Sequence, residues 1–190
     1  MDLVPTPSQT AGPYFHLGMT NTRSVACIAG PEAKGERIWI TLRIVDGEGT
    51  PLDDAMIEIW QASAEGKYAH PEDRQEKTVD SSFRGFGRLA TAQDGTCVFE
   101  TIKPGRVAGP EGTLQAPHLN VSVLARGVLR RLATRVYFAG DSANDEDPIL
   151  RLVPAERRNT LLAQPDSTRA RGWRLDIHLQ GDDETVFFDV

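Results

Sequence analysis

The stretch Arg37-Ile-Trp-Ile-Thr-Leu-Arg-Ile-Val45 alternates over nine positions and stops at the turn Asp46-Gly47-Glu48-Gly49. A period of two puts Ile38, Ile40, Leu42 and Ile44 on one face of a strand, and no helix accommodates that spacing. The same texture returns at short intervals, over 55–61, 86–91, 96–102, 118–124, 132–138, 172–179 and 185–188. Gln93-Asp94-Gly95 predicts a hairpin between the third and fourth of these strands. Ala125-Arg126-Gly127 predicts another between 118–124 and 132–138. One helix is expected over Pro154 to Ala163, with proline in its first turn and Leu161 and Leu162 facing inward. Many short strands and a single short helix predict an all-β protein, an antiparallel β-sandwich. Residues 1–36 carry repeated Pro and Gly and no periodicity, so they read as an extended N-terminal arm on a sandwich domain of residues 37–190. Val4, Tyr14, Phe15 and Leu17 would be costly to leave in water. The arm is therefore expected to lie over the domain or over a partner.

A chain of 190 residues can bury a sizeable core without staples. Its formal net charge of -6 disfavours a nucleic-acid partner. No apolar run approaches the ~20 residues of a membrane helix, so no membrane association is expected. The N-terminal segment has neither a basic region nor an apolar core, so no signal peptide is read there. Cys27 and Cys97 lack metal-type spacing and read as free thiols. A cytoplasmic location is the expectation.

His118-Leu119-Asn120 is a near miss for metal chemistry. On a strand, positions 118 and 120 project together, so His-x-His would chelate from one face. An asparagine amide does not replace the second imidazole for a transition metal. His118 alone is a packed histidine or a ligand. His16 and His70 fall in loops, and His178 shares a face with Asp176 and Gln180, which reads as a solvated edge. There is no G-x-S-x-G elbow, and the glycine-bearing turns around 85–87 and 105–112 lack the context of a phosphate loop. Asp53, Asp54, Asp182, Asp183 and Glu184 read as turn carboxylates. Arg126, at the predicted hairpin tip beside Gly127, is an ordinary exposed arginine or a planar fork offered to a carboxylate.

Seven segments taken together carry more. Thr6-Pro-Ser-Gln-Thr-Ala-Gly-Pro-Tyr14, Glu58-Ile-Trp-Gln61 with Gly66-Lys-Tyr68, Phe86-Gly-Arg88, Thr101-Ile-Lys-Pro-Gly105, Ala116-Pro-His118, Thr134-Arg-Val-Tyr-Phe138 and Trp173-Arg-Leu-Asp-Ile177 occur in this order. They resemble the intradiol ring-cleaving dioxygenases, and the resemblance spans essentially the whole chain. The family's iron-bearing chains hold a non-haem ferric ion with two tyrosines and two histidines. The resemblance implies that Val107 replaces one tyrosine and Asn120 one histidine. The other tyrosine would fall in Glu72 to Val79, around Gln75, where none is present. His118 would be a remnant.

Some members pair a related α and β chain, and the ending Gly181 to Val190 resembles their α chain. The resemblance then implies that Fe(3+) is bound by a partner β subunit in a hetero-oligomer of αβ units. This chain would complete the pocket for a small aromatic substrate, supplying no catalytic residue and no metal ligand. Thr10, Gly12, Pro13 and Tyr14 would form part of the wall, and Arg126 would stand close to the substrate. The rivals are a metal-free binding module acting alone and a self-sufficient metalloenzyme using His118 with His16 or Tyr68.

Overall fold

The computed structural model describes residues 7–21, 24–78 and 80–190; Val4, Thr6 and Val79, named above, lie outside them. The arm contains a short helix, α1 (Pro13–Met19). Strands follow as β1 (Arg37–Val45), β2 (Met56–Gln61), β3 (Phe86–Ala90), β4 (Thr96–Ile102), the two-residue β5 (Val107–Ala108) and β6 (Leu114–Gln115), β7 (His118–Leu124), β8 (Leu132–Phe138), β9 (Leu162–Asp166) and β10 (Gly172–His178). The eight longer strands run in the order β3-β2-β7-β8-β9-β10-β1-β4. The β9 strand turns the corner, pairing Leu162 and Ala163 with β8 and its later residues with β10. The all-β expectation holds. Most ladders are antiparallel, while β1–β10 and β8–β9 are parallel.

Alternation does what the sequence requires of it. Ile38, Ile40, Leu42 and Ile44 of β1 are fully buried, and they meet Ile57 and Ile59 of β2, Leu119, Val121 and Val123 of β7, and Phe99 of β4 in one core. The opposite face of β7 carries His118, Asn120, Ser122 and Leu124, so period two separates core from site on a single strand. Gln61 crosses between the layers. Its Oε1 accepts from Thr101 Oγ1 at 2.7 Å and its Nε2 donates to the Ile102 carbonyl at 3.0 Å.

Four local expectations need correction. The Gln93-Asp94-Gly95 turn forms, with Ala92 N–H donating to the Thr96 carbonyl, but β3 and β4 do not pair. They part to opposite ends of the strand order, β3 onto β2 and β4 onto β1, because their apolar faces belong to different layers. The helix expected over Pro154 to Ala163 is a 3-10 segment, Ala155–Leu161. Leu162 and the fully buried Ala163 are claimed by β9, so the helical segment stops at Leu161 and stays a short 3-10 connector. The helix that does form, α1, begins at Pro13, which sequence reasoning took for a turn former. Thr185 to Phe188 is not a strand; Phe188 makes one isolated bridge to Ala133.

Residues 25–29, read as part of the arm, run between the two ends of the strand order. Val25 exchanges backbone bonds with Arg88 of β3, Ile28 N–H donates to the Glu100 carbonyl of β4, and Glu100 N–H donates to Ala26. Ile28 and Ala29 are buried in the core. The strap covers both sheet edges, which would otherwise present unpaired backbone groups.

Candidate functional site

Two regions gather the residues singled out from sequence. In the first, the hairpin tip between β7 and β8 meets the arm. Gly127 N–H donates to Thr10 Oγ1 at 2.7 Å, and Arg126 Nε lies 3.0 Å from Asp54 Oδ2. A cavity of about 410 Å³ opens here, lined by Gly12, Pro13, Asp53, Asp54, Met56 and Arg126 among others. A neighbouring hollow of about 430 Å³ lies against Thr10, Gly12, Tyr14, Leu129, Arg130 and Arg131. Thr10, Gly12, Pro13, Tyr14 and Arg126, scattered over more than a hundred residues, therefore meet on one face. Arg126 is 78% exposed and Tyr14 89% exposed. A Cβ built on Gly12 meets nothing within 4 Å among the described residues. Its own fold gives no steric reason for glycine there.

The second region is on the same outer face of β2 and β7, at the other end of the strands. A hollow of about 680 Å³ is lined by Trp60, Tyr68, His70, Gln75 and Val107. Tyr68 stacks on Trp60 with ring centroids 6.0 Å apart and planes within 5°. Asn120 Nδ2 donates to the Tyr68 hydroxyl at 3.2 Å, and burial raises the pKa of that phenol. Gln75 spends its amide on the Gly66 carbonyl and the Asp73 carboxylate. His118 is buried, its Nδ1 2.8 Å from the Ala116 carbonyl and its Nε2 without a partner among the described residues. A carbonyl only accepts, so Nδ1 carries the proton and Nε2 a bare lone pair. Burial, with the Arg135 guanidinium second, pushes His118 down to about 4.

Comparison with known proteins gives the family. A family model described as Dioxygenase matches residues 10–181. The chain is 43% identical over 97% of its length to the protocatechuate 3,4-dioxygenase alpha chain of Burkholderia cepacia, covering 97% of that protein. It is 36% identical to the beta chain from the same organism over 81% of its own length and 68% of the other. Among solved structures, the dioxygenase domain of a carbohydrate-binding fusion from Streptomyces sp. SirexAA-E superposes with a TM-score of 0.62 at 24% identity, covering 94% of this chain and 99% of that one. The chain belongs to the intradiol dioxygenase family.

Intradiol dioxygenases are iron enzymes, and the four positions that the sequence resemblance implies for the iron ligands can be judged on chemistry. Val107 is buried hydrocarbon, Gln75 and the Asn120 amide are turned to neighbours, and His118 Nε2 remains as a single neutral donor. The Arg135 guanidinium destabilises added positive charge nearby. Among the described residues no group of three His, Cys, Asp or Glu side chains could hold a metal ion. This donor set does not fit a ferric ion, which wants several oxygen and nitrogen ligands at once.

Sequence reasoning missed two residues of this intradiol dioxygenase chain. Asp54 was read as a solvated turn carboxylate, and nothing in its local sequence signals Arg126, its partner across the fold. Tyr68 was named only as a distant possible ligand; the signal was Asn120, whose strand face points toward it.

Proposed function

We propose that this chain is the α chain of a protocatechuate 3,4-dioxygenase, itself without iron, and that it completes the active-site pocket of a β chain. The complex converts 3,4-dihydroxybenzoate and O₂ to 3-carboxy-cis,cis-muconate, breaking the bond between the two hydroxylated carbons. Ferric iron held by the β chain would bind the catecholate and activate it toward O₂. The residues of this chain bind and orient. Arg126 offers a guanidinium to the substrate carboxylate, a planar match that also raises the local concentration of an anion. Gly12 leaves room for a ring to approach, and Pro13 stiffens the wall beside it.

What carries this reading is a partition. Gly12, Pro13 and Arg126 line one open cavity, with Thr10 and Tyr14 at the hollow beside it, while the positions implied for the ligands carry Val107, Gln75 and Asn120. Open space around Gly12 supports it further, because the crowding that calls for glycine would come from whatever seats on the cavity. So does the exposed apolar surface of Tyr14, Leu17 and Leu129 beside it, which a partner would cover.

The test is to purify the chain alone and co-expressed with a β chain, then measure iron and turnover of 3,4-dihydroxybenzoate. The chain alone is expected to be poorly soluble, iron-free and inactive, and the complex to be soluble, to hold iron and to turn over. Iron and catechol cleavage in the isolated chain would overturn the assignment.

A further inference from the structure

Arg126 is the long, exposed side chain on which substrate recognition rests in the reading above, and an exposed arginine ordinarily samples many rotamers. Here it is held. The Asp54 carboxylate forms an ion pair with it, Oδ2 lying 3.0 Å from Nε. The adjoining Gly127 amide is fixed by Thr10 of the arm at 2.7 Å. The Asp54 side chain is itself 37% exposed and, among the described residues, has no hydrogen bond and no other ion pair. Both residues of the pair line the same 410 Å³ cavity. A guanidinium has two edges able to receive a carboxylate. Asp54 engages at Nε, so the terminal edge carrying both Nη atoms stays free.

We infer that Asp54 is a positioning residue, one that aims the free edge of Arg126 at the carboxylate of the substrate. The inference rests on Arg126 being the carboxylate receptor. It is not obvious from charge alone. A carboxylate beside the receptor repels an anionic substrate, so simple screening predicts that removing Asp54 tightens binding. Geometry predicts the reverse. The substrate meets the terminal edge in direct contact, while Asp54 sits at the far side of the guanidinium, so the directional bonds outweigh the more distant repulsion. Rotamer freedom regained on losing Asp54 is then subtracted from binding.

The experiment uses the αβ complex and steady-state kinetics with 3,4-dihydroxybenzoate and with uncharged catechol. Asp54→Ala is expected to raise KM for the acid about fivefold to tenfold, with kcat unchanged and KM for catechol unmoved. Asp54→Glu keeps a carboxylate to pair with Arg126 and is expected to recover part of the loss. Arg126→Ala is expected to raise KM for the acid at least as much, and Asp54→Ala added to it to cost nothing further. Asp54 has no other polar partner among the described residues, so these variants are expected to melt like the parent complex. A KM for the acid that falls or stays level in Asp54→Ala overturns the inference, as does an equal rise for catechol, which marks a structural role. If Arg126→Ala raises KM while Asp54→Ala is silent, positioning fails and the receptor stands. If Arg126→Ala changes nothing, the receptor reading itself fails.

Discussion

Burial keeps the His118 imidazole neutral, and that has a direction in pH. The folded group titrates at about 4 and the unfolded one near the ordinary 6.5. Between those values the unfolded chain binds a proton that the folded chain refuses. The contribution is fully present above about pH 6.5 and is lost as pH falls toward 4, a change on the order of 3 kcal/mol at most. Urea denaturation across this window is expected to show a steeper acid loss in the parent than in His118→Gln. Parallel curves would mean that the folded imidazole takes up the proton after all. Gly12 makes a complementary case. With open space around its Cα, Gly12→Val is expected to leave the melting temperature of the complex within a degree or two while raising KM for 3,4-dihydroxybenzoate several-fold. A large drop in melting temperature with normal KM would place the glycine's role in folding. At this scale the chain is legible where chemistry is carried by residue type. A His-x-Asn in place of His-x-His, and Val107 after the Thr101-Ile-Lys-Pro-Gly105 run, can be read directly. Asp54 beside Arg126 and Tyr68 beside Asn120 could not be, because each pair forms only when loops from distant segments fold together.

Strands are the most readable elements, since period two fixes which face enters the core and any slip would expose four or five apolar side chains. Connections are less readable. Asp94-Gly95 makes the turn its composition promises, yet a turn does not determine whether the strands leaving it pair with one another. That depends on which layer buries each, here through Gly87 of β3 and Phe99 of β4, which pack from the two sides of one core. The missed α1 and the over-read helix after Pro154 err in opposite senses for a single reason. Short segments take their conformation from what they pack on rather than from propensity. The layers are also coupled by the buried Gln61–Thr101 bond. Replacing Thr101 by the isosteric valine leaves Gln61 Oε1 unsatisfied in a dry core. This is expected to cost about 1–3 kcal/mol with no effect on KM. Chemical denaturation of the complex measures it, and a neutral result would mean that water or another donor reaches the amide.

For the molecule as a whole, the decisive features lie far apart in the chain. The strap of residues 25–29 ties β3 to β4, which do not pair with each other, and β10 is inserted between β9 and β1 rather than added at an edge. Arg43 of β1 and its ion-pair partner Asp176 of β10 are 133 residues apart in sequence. During synthesis β1 must therefore wait for most of the chain before its parallel neighbour exists. At about 5–20 residues per second that wait is roughly 7–27 s, with the fully apolar face of Ile38, Ile40, Leu42 and Ile44 made and its sheet incomplete. A nascent chain in that state has a choice between chaperones and aggregation. The ribosome, more than the finished fold, is where this subunit is most exposed to failure.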